Sequence, residues 1–241
     1  MKIAVISDIH GNLPALEAAL SLINDHNVDM ILGAGDWIGY GPFPTEVIDR
    51  LKTAGVKCIR GNYDVKAINA IKNPENYVKK LKMHKWSVLK WTVNQLKPAH
   101  VKWIRSLPDS RELEPIKNCT IRMFHGSPEG NEGRIYPSIT GRAIASMSNE
   151  PLPDVLIAGH THIPFVKEVD GCLIMNPGSA GQPVDGDSRP TFGLLEINEK
   201  GLPFGQIIRF DYPEKTLLAA IERAGLPKWL ARDFQTGKKR K

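Results

Sequence analysis

Two aspartates, four histidines and one asparagine stand just beyond apolar runs of this chain. Asp8 and His10 follow KIAVIS, Asp36 follows MILGAG, and Asn62 follows VKCIR. His125 follows TIRMF, and DVLIA leads through Gly159 into His160 and His162 of the stretch IAGHTH. Singly, each has an ordinary explanation: Asp8 as a turn residue, His125 as a loop histidine satisfied by backbone. Together they repeat one arrangement at five successive predicted strands. In open α/β sheets, ligands bind outside the carboxyl ends of the strands. Carboxylates, imidazoles and an amide oxygen suit borderline divalent metals such as Mn, Fe, Zn, Ni or Co. The set has no thiolate, which argues against a closed structural zinc site. The donors fit two divalent cations. Two aspartates neutralise only half the charge of such a pair, and the residue would favour an anion such as phosphate together with a hydroxide.

These residues need a scaffold, and the first half of the chain reads as alternating strand and helix. KIAVIS (2–7) is a buried strand; Asn12 caps a helix over 13–25, with Pro14 in its first turn. MILGAG (30–35) is the next strand, Pro44 opens a helix to about 54, and VKCIR (56–60) is a third strand. A βαβαβ start predicts a parallel sheet with helices packed on it. Residues 66–107 break the rhythm with two or three predicted helices, entered at Asn73-Pro74 and Lys97-Pro98. Trp86, Trp91, Trp103 and Tyr77 are expected to pack this insert onto the body. An aromatic and basic insert beside a strand-end site is also a place where a nucleotide base could lodge. The second half adds strands at 120–124, 154–158, 191–197 and 203–210, and a hairpin, VKEV-DG-CLIM, whose Asp170-Gly171 suits a type I′ turn. One or two short helices are expected between Pro213 and Phe234. The predicted organisation is a main domain over 1–212, a C-terminal helical appendage over 213–234 and a basic tail over 235–241.

Composition narrows the class. Of the 241 residues 41% are hydrophobic and 24% charged, which is ordinary for a soluble globular chain with a sizeable core. The apolar start is too short for a leader or a membrane span, so a cytoplasmic location without membrane contact is expected. Cys58, Cys119 and Cys172 are odd in number and lack CxxC spacing, which predicts buried reduced thiols. The formal charge of +6 is concentrated in the last four residues, KKRK, so it marks a solvated tail more than a nucleic-acid surface. Lys79, Lys80, Lys82 and Lys85 read as one solvated helix face.

The motifs SDIHGN, GDWIGYGP, RGNYD, FHGSP, GHTHIP and NPGS occur in this order between residue 7 and about 190. This series resembles the calcineurin-like metallophosphoesterase superfamily, and within it the small bacterial and archaeal diadenosine-tetraphosphatase-like phosphoesterases. The resemblance implies a four-layer αββα sandwich, an α/β fold of two β-sheets flanked by helices. It also implies a binuclear centre: Asp8, His10 and His162 on one metal, Asn62, His125 and His160 on the other, and Asp36 bridging both. Mn is the favoured metal, with Fe, Zn, Ni or Co as alternatives. The implied reaction is hydrolysis of phosphate esters or anhydrides of small molecules, such as nucleotides or dinucleoside polyphosphates, by in-line attack of a metal-bridging hydroxide. Many superfamily members have histidine after the ligand asparagine; here Tyr63 follows, then Asp64. A phenol is a poorer acid than imidazole at neutral pH, so good leaving groups should be preferred.

Asp36, Asn62 and Tyr63 are therefore the expected catalytic residues, with Asn12, Tyr40, Tyr63 and Arg189 as candidate substrate contacts. Asn12 is also a helix cap, and an exposed loop arginine with no such role is an equal reading of Arg189. Asn176 of NPGS is expected to shape a turn near the metals, and Asp64 to support a ligand or serve as a turn residue. Competing readings are a nuclease and a non-catalytic metal- or nucleotide-binding module. The nuclease is disfavoured because the basicity lies in the tail; the module is disfavoured because all seven expected ligands are present. The sequence specifies no oligomeric state.

Overall fold

The computed structural model describes residues 1–148 and 150–239. Two mixed five-stranded sheets face each other. The first begins with β1 (Lys2–Ile6), β2 (Met30–Gly33) and β3 (Lys57–Cys58), parallel neighbours in that order, separated by α1 (Leu13–Asp25) and α2 (Pro44–Thr53). Asn12 caps α1 as expected, its side-chain oxygen accepting from Ala15 N at 3.1 Å.

The predicted insert is larger than its sequence signals suggest. It holds four helices, α3 (Asn62–Lys72), α4 (Pro74–Lys80), α5 (Met83–Gln95) and α6 (Pro98–Ser106), and it starts at Asn62, four residues before the expected boundary. Asp64 is the reason: three residues after Gly61, it accepts the Gly61 N–H at 2.8 Å and starts the helix directly behind the strand. Trp86, Trp103 and Tyr77 pack on the helical face of the first sheet, and Trp91 joins a separate cluster. These four rings are packing residues.

The second sheet holds β4 (Ser110–Ile116), β5 (Cys119–Phe124), β6 (Val155–Ala158), β7 (Phe165–Val169) and β8 (Cys172–Asn176), in the order β4-β5-β6-β8-β7. Sequence reading omitted β4. Its charged residues and Pro115 suit only an edge strand, and the register to β5 shifts between Leu113 and Ile116. The short helix α7 (Gly141–Ser146), capped by Thr140, was also omitted. The β7–β8 hairpin turns at Asp170 and Gly171, with φ 50° and 79°, as a type I′ turn requires.

The chain then returns to the first sheet. β9 (Thr191–Ile197) lies antiparallel to β1, and β10 (Pro203–Arg209) antiparallel to β9. α8 (Glu214–Arg223) and α9 (Lys228–Thr236) follow. Alternation along β1 and β5 sends Ile3, Val5, Ile121 and Met123 between the sheets, while Ala4 and Ile6 face the outer helices. On the far face of the second sheet, Ile144 of α7 covers Leu156 and Ile174. The result is the expected four-layer arrangement. Leu230 and Phe234 of α9 are fully buried in a cluster that includes Tyr40 and Val88. All three cysteines are buried and free. Among the described residues, no helix is long and apolar enough to cross a membrane.

Candidate metal centre

The seven polar residues converge at the carboxyl edges of both sheets. Asp8 and His10 follow β1, Asp36 follows β2, Asn62 opens α3, His125 follows β5, and His160 and His162 follow β6. Asp8, His10, Asp36, His125 and His162 are at most 2% exposed, so water solvates none of them. The loops that aim them are conformationally costly. Asp8, His10, Asp36, His160 and His162 all have φ between 50° and 63°, and they make up five of the nine non-glycine residues with positive φ among the described residues. Such backbone is sparsely populated and persists where surrounding structure over-determines it.

Asp36 sits at the middle. Its Oδ2 lies 3.5 Å from both His10 Nε2 and His125 Nε2, a position between two halves of the cluster. On one side Asp8 Oδ1 is 3.1 Å from His162 Nε2, and the Nε2 atoms of His10 and His162 are 3.2 Å apart. On the other, Asn62 Oδ1 is 3.3 Å from His125 Nε2, whose ring centroid is 5.2 Å from that of His160. Three histidines are set the same way: the Nδ1 of His10 faces Ile38 O at 3.2 Å, that of His125 faces Ala34 O at 2.7 Å, and that of His162 faces Gln182 O at 2.5 Å. A backbone carbonyl holds the proton on Nδ1 and turns Nε2 inward, the orientation a metal ligand needs.

Among the seven residues of the cluster, two buried atoms lack hydrogen-bond partners. Asp8 Oδ2 accepts from Ser7 Oγ at 2.6 Å and from His160 N at 3.0 Å, but Asp8 Oδ1 has no hydrogen-bond donor, and His160 Nε2 has no partner. Buried polar atoms are nearly always paired. Their chemistry, a carboxylate oxygen and an imidazole nitrogen, fits a divalent cation. Asp8, His10 and His162 bring one ligand atom each within 4.8 Å of one another, and so do Asp8, Asp36 and His125.

The protonation states are opposed in a useful way. Burial would raise the Asp8 pKa, but His162, His125 and His10 outweigh it and hold the carboxyl below its usual range. Asp36 is likewise brought down to about 2, burial being overcome chiefly by His125. Burial takes His10 to about 3 and, with help from His125, His160 to about 4. Burial also opposes charge on His125, but Asp36 and Asp8 raise its pKa to about 9. Both carboxylates are thus ionised, two imidazoles are neutral, and one proton is stored on His125.

Residues around the cluster hold its loops in place. The Asp64 carboxylate accepts the backbone N–H groups of Asp36, Trp37, Ile38 and Gly61 at 2.8–3.4 Å, which ties the Asp36 loop to the start of α3. Asp64 is a positioning residue. Asn176, fully buried, donates to Gly159 O and Thr161 Oγ1 and accepts from Gly178 N, each at 2.9 Å, and so clamps the GHTH loop. Ser179 Oγ donates to Asp8 O at 2.7 Å. Gly61 has no room for a side chain, because a Cβ there would stand 2.1 Å from Asp36 Oδ1.

The expected substrate contacts divide. Tyr40 and Tyr63 cover the cluster: their rings lie 4.9 and 5.3 Å from that of His10, and their hydroxyls are hydrogen-bonded to each other. Burial raises both phenol pKa values, so at neutral pH each is a donor and not a base. Asn12 is committed inward at both ends, its Nδ2 donating to Gly181 O at 2.7 Å, so it acts as a cap. Arg189 is exposed and paired with Asp187 at 2.7 Å. Sequence reasoning missed Glu132, which pairs with Lys66 at 2.9 Å and whose pKa is lowered in part by Asn62. It also missed Lys239. Lys239 is exposed, and its Nζ lies 5.9 Å from the Tyr40 ring centroid. No local pattern announces either: Glu132, only four residues beyond FHGSP, and Lys239, in the tail, are both placed by tertiary contacts. Arg240 and Lys241, the rest of that tail, lie outside the described residues.

Residues 1–200 match the family model described as the calcineurin-like phosphoesterase superfamily domain. The chain is 30% identical to protein MJ0912 of Methanocaldococcus jannaschii, with 98% of each chain covered. It is 28% identical to the phosphodiesterase MJ0936 of the same organism, over 83% of this chain and 95% of that one. Among solved structures, protein PH1004 of Pyrococcus horikoshii superposes with a TM-score of 0.84 at 27% identity, over 99% of both chains. A metallophosphoesterase of Sphaerobacter thermophilus gives 0.75 at 29% identity, over 98% of this chain and all of the other.

Proposed function

Because this chain belongs to the calcineurin-like phosphoesterase superfamily and is a metal-dependent phosphoesterase, we propose that its buried cluster holds two divalent cations, favouring Mn, and hydrolyses phosphodiester or phosphoanhydride bonds of a small nucleotide-like molecule. Asp8, His10 and His162 would hold one metal and Asn62, His125 and His160 the other, with Asp36 between them. The observation that supports this most is the place of Asp36 Oδ2, 3.5 Å from an imidazole on each side. Bound there, such a pair would clamp a phosphoryl group and supply a water ionised near neutral pH.

The chain's own part is then to bind, orient and protect. Ionised Asp8 and Asp36 supply the negative charge that retains the cations. His10 and His160 are neutral before any metal arrives, and His125 gives up a single proton on binding. Tyr40 and Tyr63 close one side of the cluster and offer hydroxyl donors to phosphoryl oxygens. Since both phenols are held protonated by burial, neither is a strong acid for the leaving group. Aryl esters and anhydrides should therefore outrank alkyl esters.

The test is metal content with turnover. Protein stripped of metal, then reloaded with Mn, is assayed on p-nitrophenyl phosphate, its bis-ester and diadenosine tetraphosphate, beside Asp36→Asn. Two equivalents of metal and turnover that collapses in the variant are expected. Two metals with no hydrolysis of any substrate would favour the binding-module reading. No bound metal would refute the ligand assignment.

A further inference from the structure

The C-terminal helix borders a cavity of about 780 Å³ that the metal ligands do not line. Its wall carries Lys228, Arg232, Lys238 and Lys239 against one carboxylate, Asp233, with the indole of Trp229 among them. Four cations facing a single acid form an anion-attracting surface. The size matches a small-molecule site, since such sites occupy roughly 300–1,000 Å³. Trp229 adds an aromatic face, and its Nε1 is buried without a hydrogen-bond partner among the described residues.

The cavity joins the metal cluster through Lys239. That residue lines the cavity and also holds its Nζ over the Tyr40 ring, which stands edge-on to His10. One tyrosine ring therefore separates the ammonium from a candidate metal ligand. Desolvation where the ammonium reaches inward lowers the Lys239 pKa, partly offset by Asp8 and Asp36, while Lys85 and Arg134 lower it further. Like charges gathered around an entrance call for an anion between them. The charge of Asp233 also helps raise the pKa of the same tyrosine.

The tail is held in this place. Gly237 ends α9 with φ 59° and ψ 31°, the left-handed turn that reverses the chain. Its carbonyl accepts the Gly186 N–H at 2.9 Å, and a Cβ at Gly237 would stand 2.5 Å from Asp187 O. Lys238 and Lys239 are thus directed back toward the cluster by packed backbone.

We propose that this cavity is a second substrate subsite, which takes the portion of a nucleoside polyphosphate beyond the phosphorus attacked at the metal cluster, with Lys239 on a non-reacting phosphate and Trp229 stacked on the base. The inference rests on the phosphoesterase reading above and sharpens its substrate class. Base stacking on an aromatic side chain is sequence-tolerant, so the adenine and guanine forms should both bind.

The test compares selectivity and binding in the full chain. Lys239→Ala and Trp229→Leu should each lower the kcat/KM ratio of diadenosine tetraphosphate over bis-p-nitrophenyl phosphate by about 10-fold, one charge-assisted contact or one stack. Titration calorimetry in EDTA should show Lys239→Ala binding inorganic tripolyphosphate about 10-fold more weakly than the wild type. Ratios and affinities within about twofold of wild type would overturn the proposal. So would a rise in turnover of both substrates in Lys239→Ala, which would make the tail a plug. Should the loaded wild type hydrolyse nothing, the phosphoesterase reading fails while the calorimetric comparison still decides the subsite.

Discussion

Asn176→Ala isolates the support of the metal loop from the metals themselves. The side chain is fully buried, and its two amide hydrogens and carbonyl make three hydrogen bonds, all at 2.9 Å. Gly159 O keeps a second partner, the Thr161 N–H at 2.7 Å, and Thr161 Oγ1 still faces Ile163 N at 3.4 Å. Gly178 N–H has no replacement and becomes a buried orphan, at about 1–3 kcal/mol. The two other bonds are worth about 0.5–1.5 kcal/mol each. Because Gly159 O and Thr161 Oγ1 keep other partners, the expected loss lies in the lower half of the range these figures span, at about 3 kcal/mol. At this chain length 1 kcal/mol shifts Tm by about 2–4 °C, so Tm in EDTA should fall by about 6–12 °C. His160 and His162 lie on the released loop, so metal affinity should also drop, by about 10–100-fold as for other supports of metal ligands. Asn176→Asp should do at least as much harm, because a carboxylate would face Gly159 O with no proton to give. The assays are thermal unfolding with and without Mn and a metal titration. A Tm change under about 2 °C, with unchanged metal stoichiometry, would refute the account of Asn176 as the clamp of this loop.

Two further outcomes follow from the same geometry. Gly61→Ala would drive its Cβ into Asp36 Oδ1 and, at 2.4 Å, into Asp36 N. Overpacking of this kind costs about 1–3 kcal/mol, and moving the central carboxylate should reduce bound metal below two equivalents by elemental analysis; full occupancy would show that the loop yields without consequence. Metal uptake should release about one proton at pH 7, because His125, with a pKa of about 9, is protonated while His10 and His160, at about 3 and 4, are not. Affinity should accordingly rise with pH up to about 9, and calorimetry in buffers of different ionisation enthalpy reads the proton directly. In the metal-free protein the sign for folding is opposite: the raised His125 pKa contributes stability in full below 6.5, lost as pH climbs through about 9. No proton release at pH 7 would remove the assignment of charge to His125.

The chain alone announces its candidate ligands because each sits just past the end of a short apolar strand, and a strand end is a local event. KIAVIS before Asp8 and DVLIA before His160 are readable from polarity alone, and so are the Asn12 cap and the Asp170-Gly171 turn. The two-sheet architecture came through the family resemblance of the motif series, since local pattern predicts only the βαβαβ half. The α3 boundary was misplaced because Asn62 follows a strand and opens a helix in consecutive residues, and the Asp64 cap that decides between them also receives bonds from the Asp36 loop. β4 was passed over because an edge strand needs no continuous apolar run. Position in the third dimension decided the rest. Asn12 and Arg189 have residue types suited to phosphate, but Gly181 O engages one and Asp187 the other. Lys239 is one of four basic residues in a row, indistinguishable from its neighbours until Gly237 turns the backbone against Asp187. A sequence states which groups are available for chemistry; which are left unsatisfied and facing one another depends on long-range contacts that only the packed chain makes.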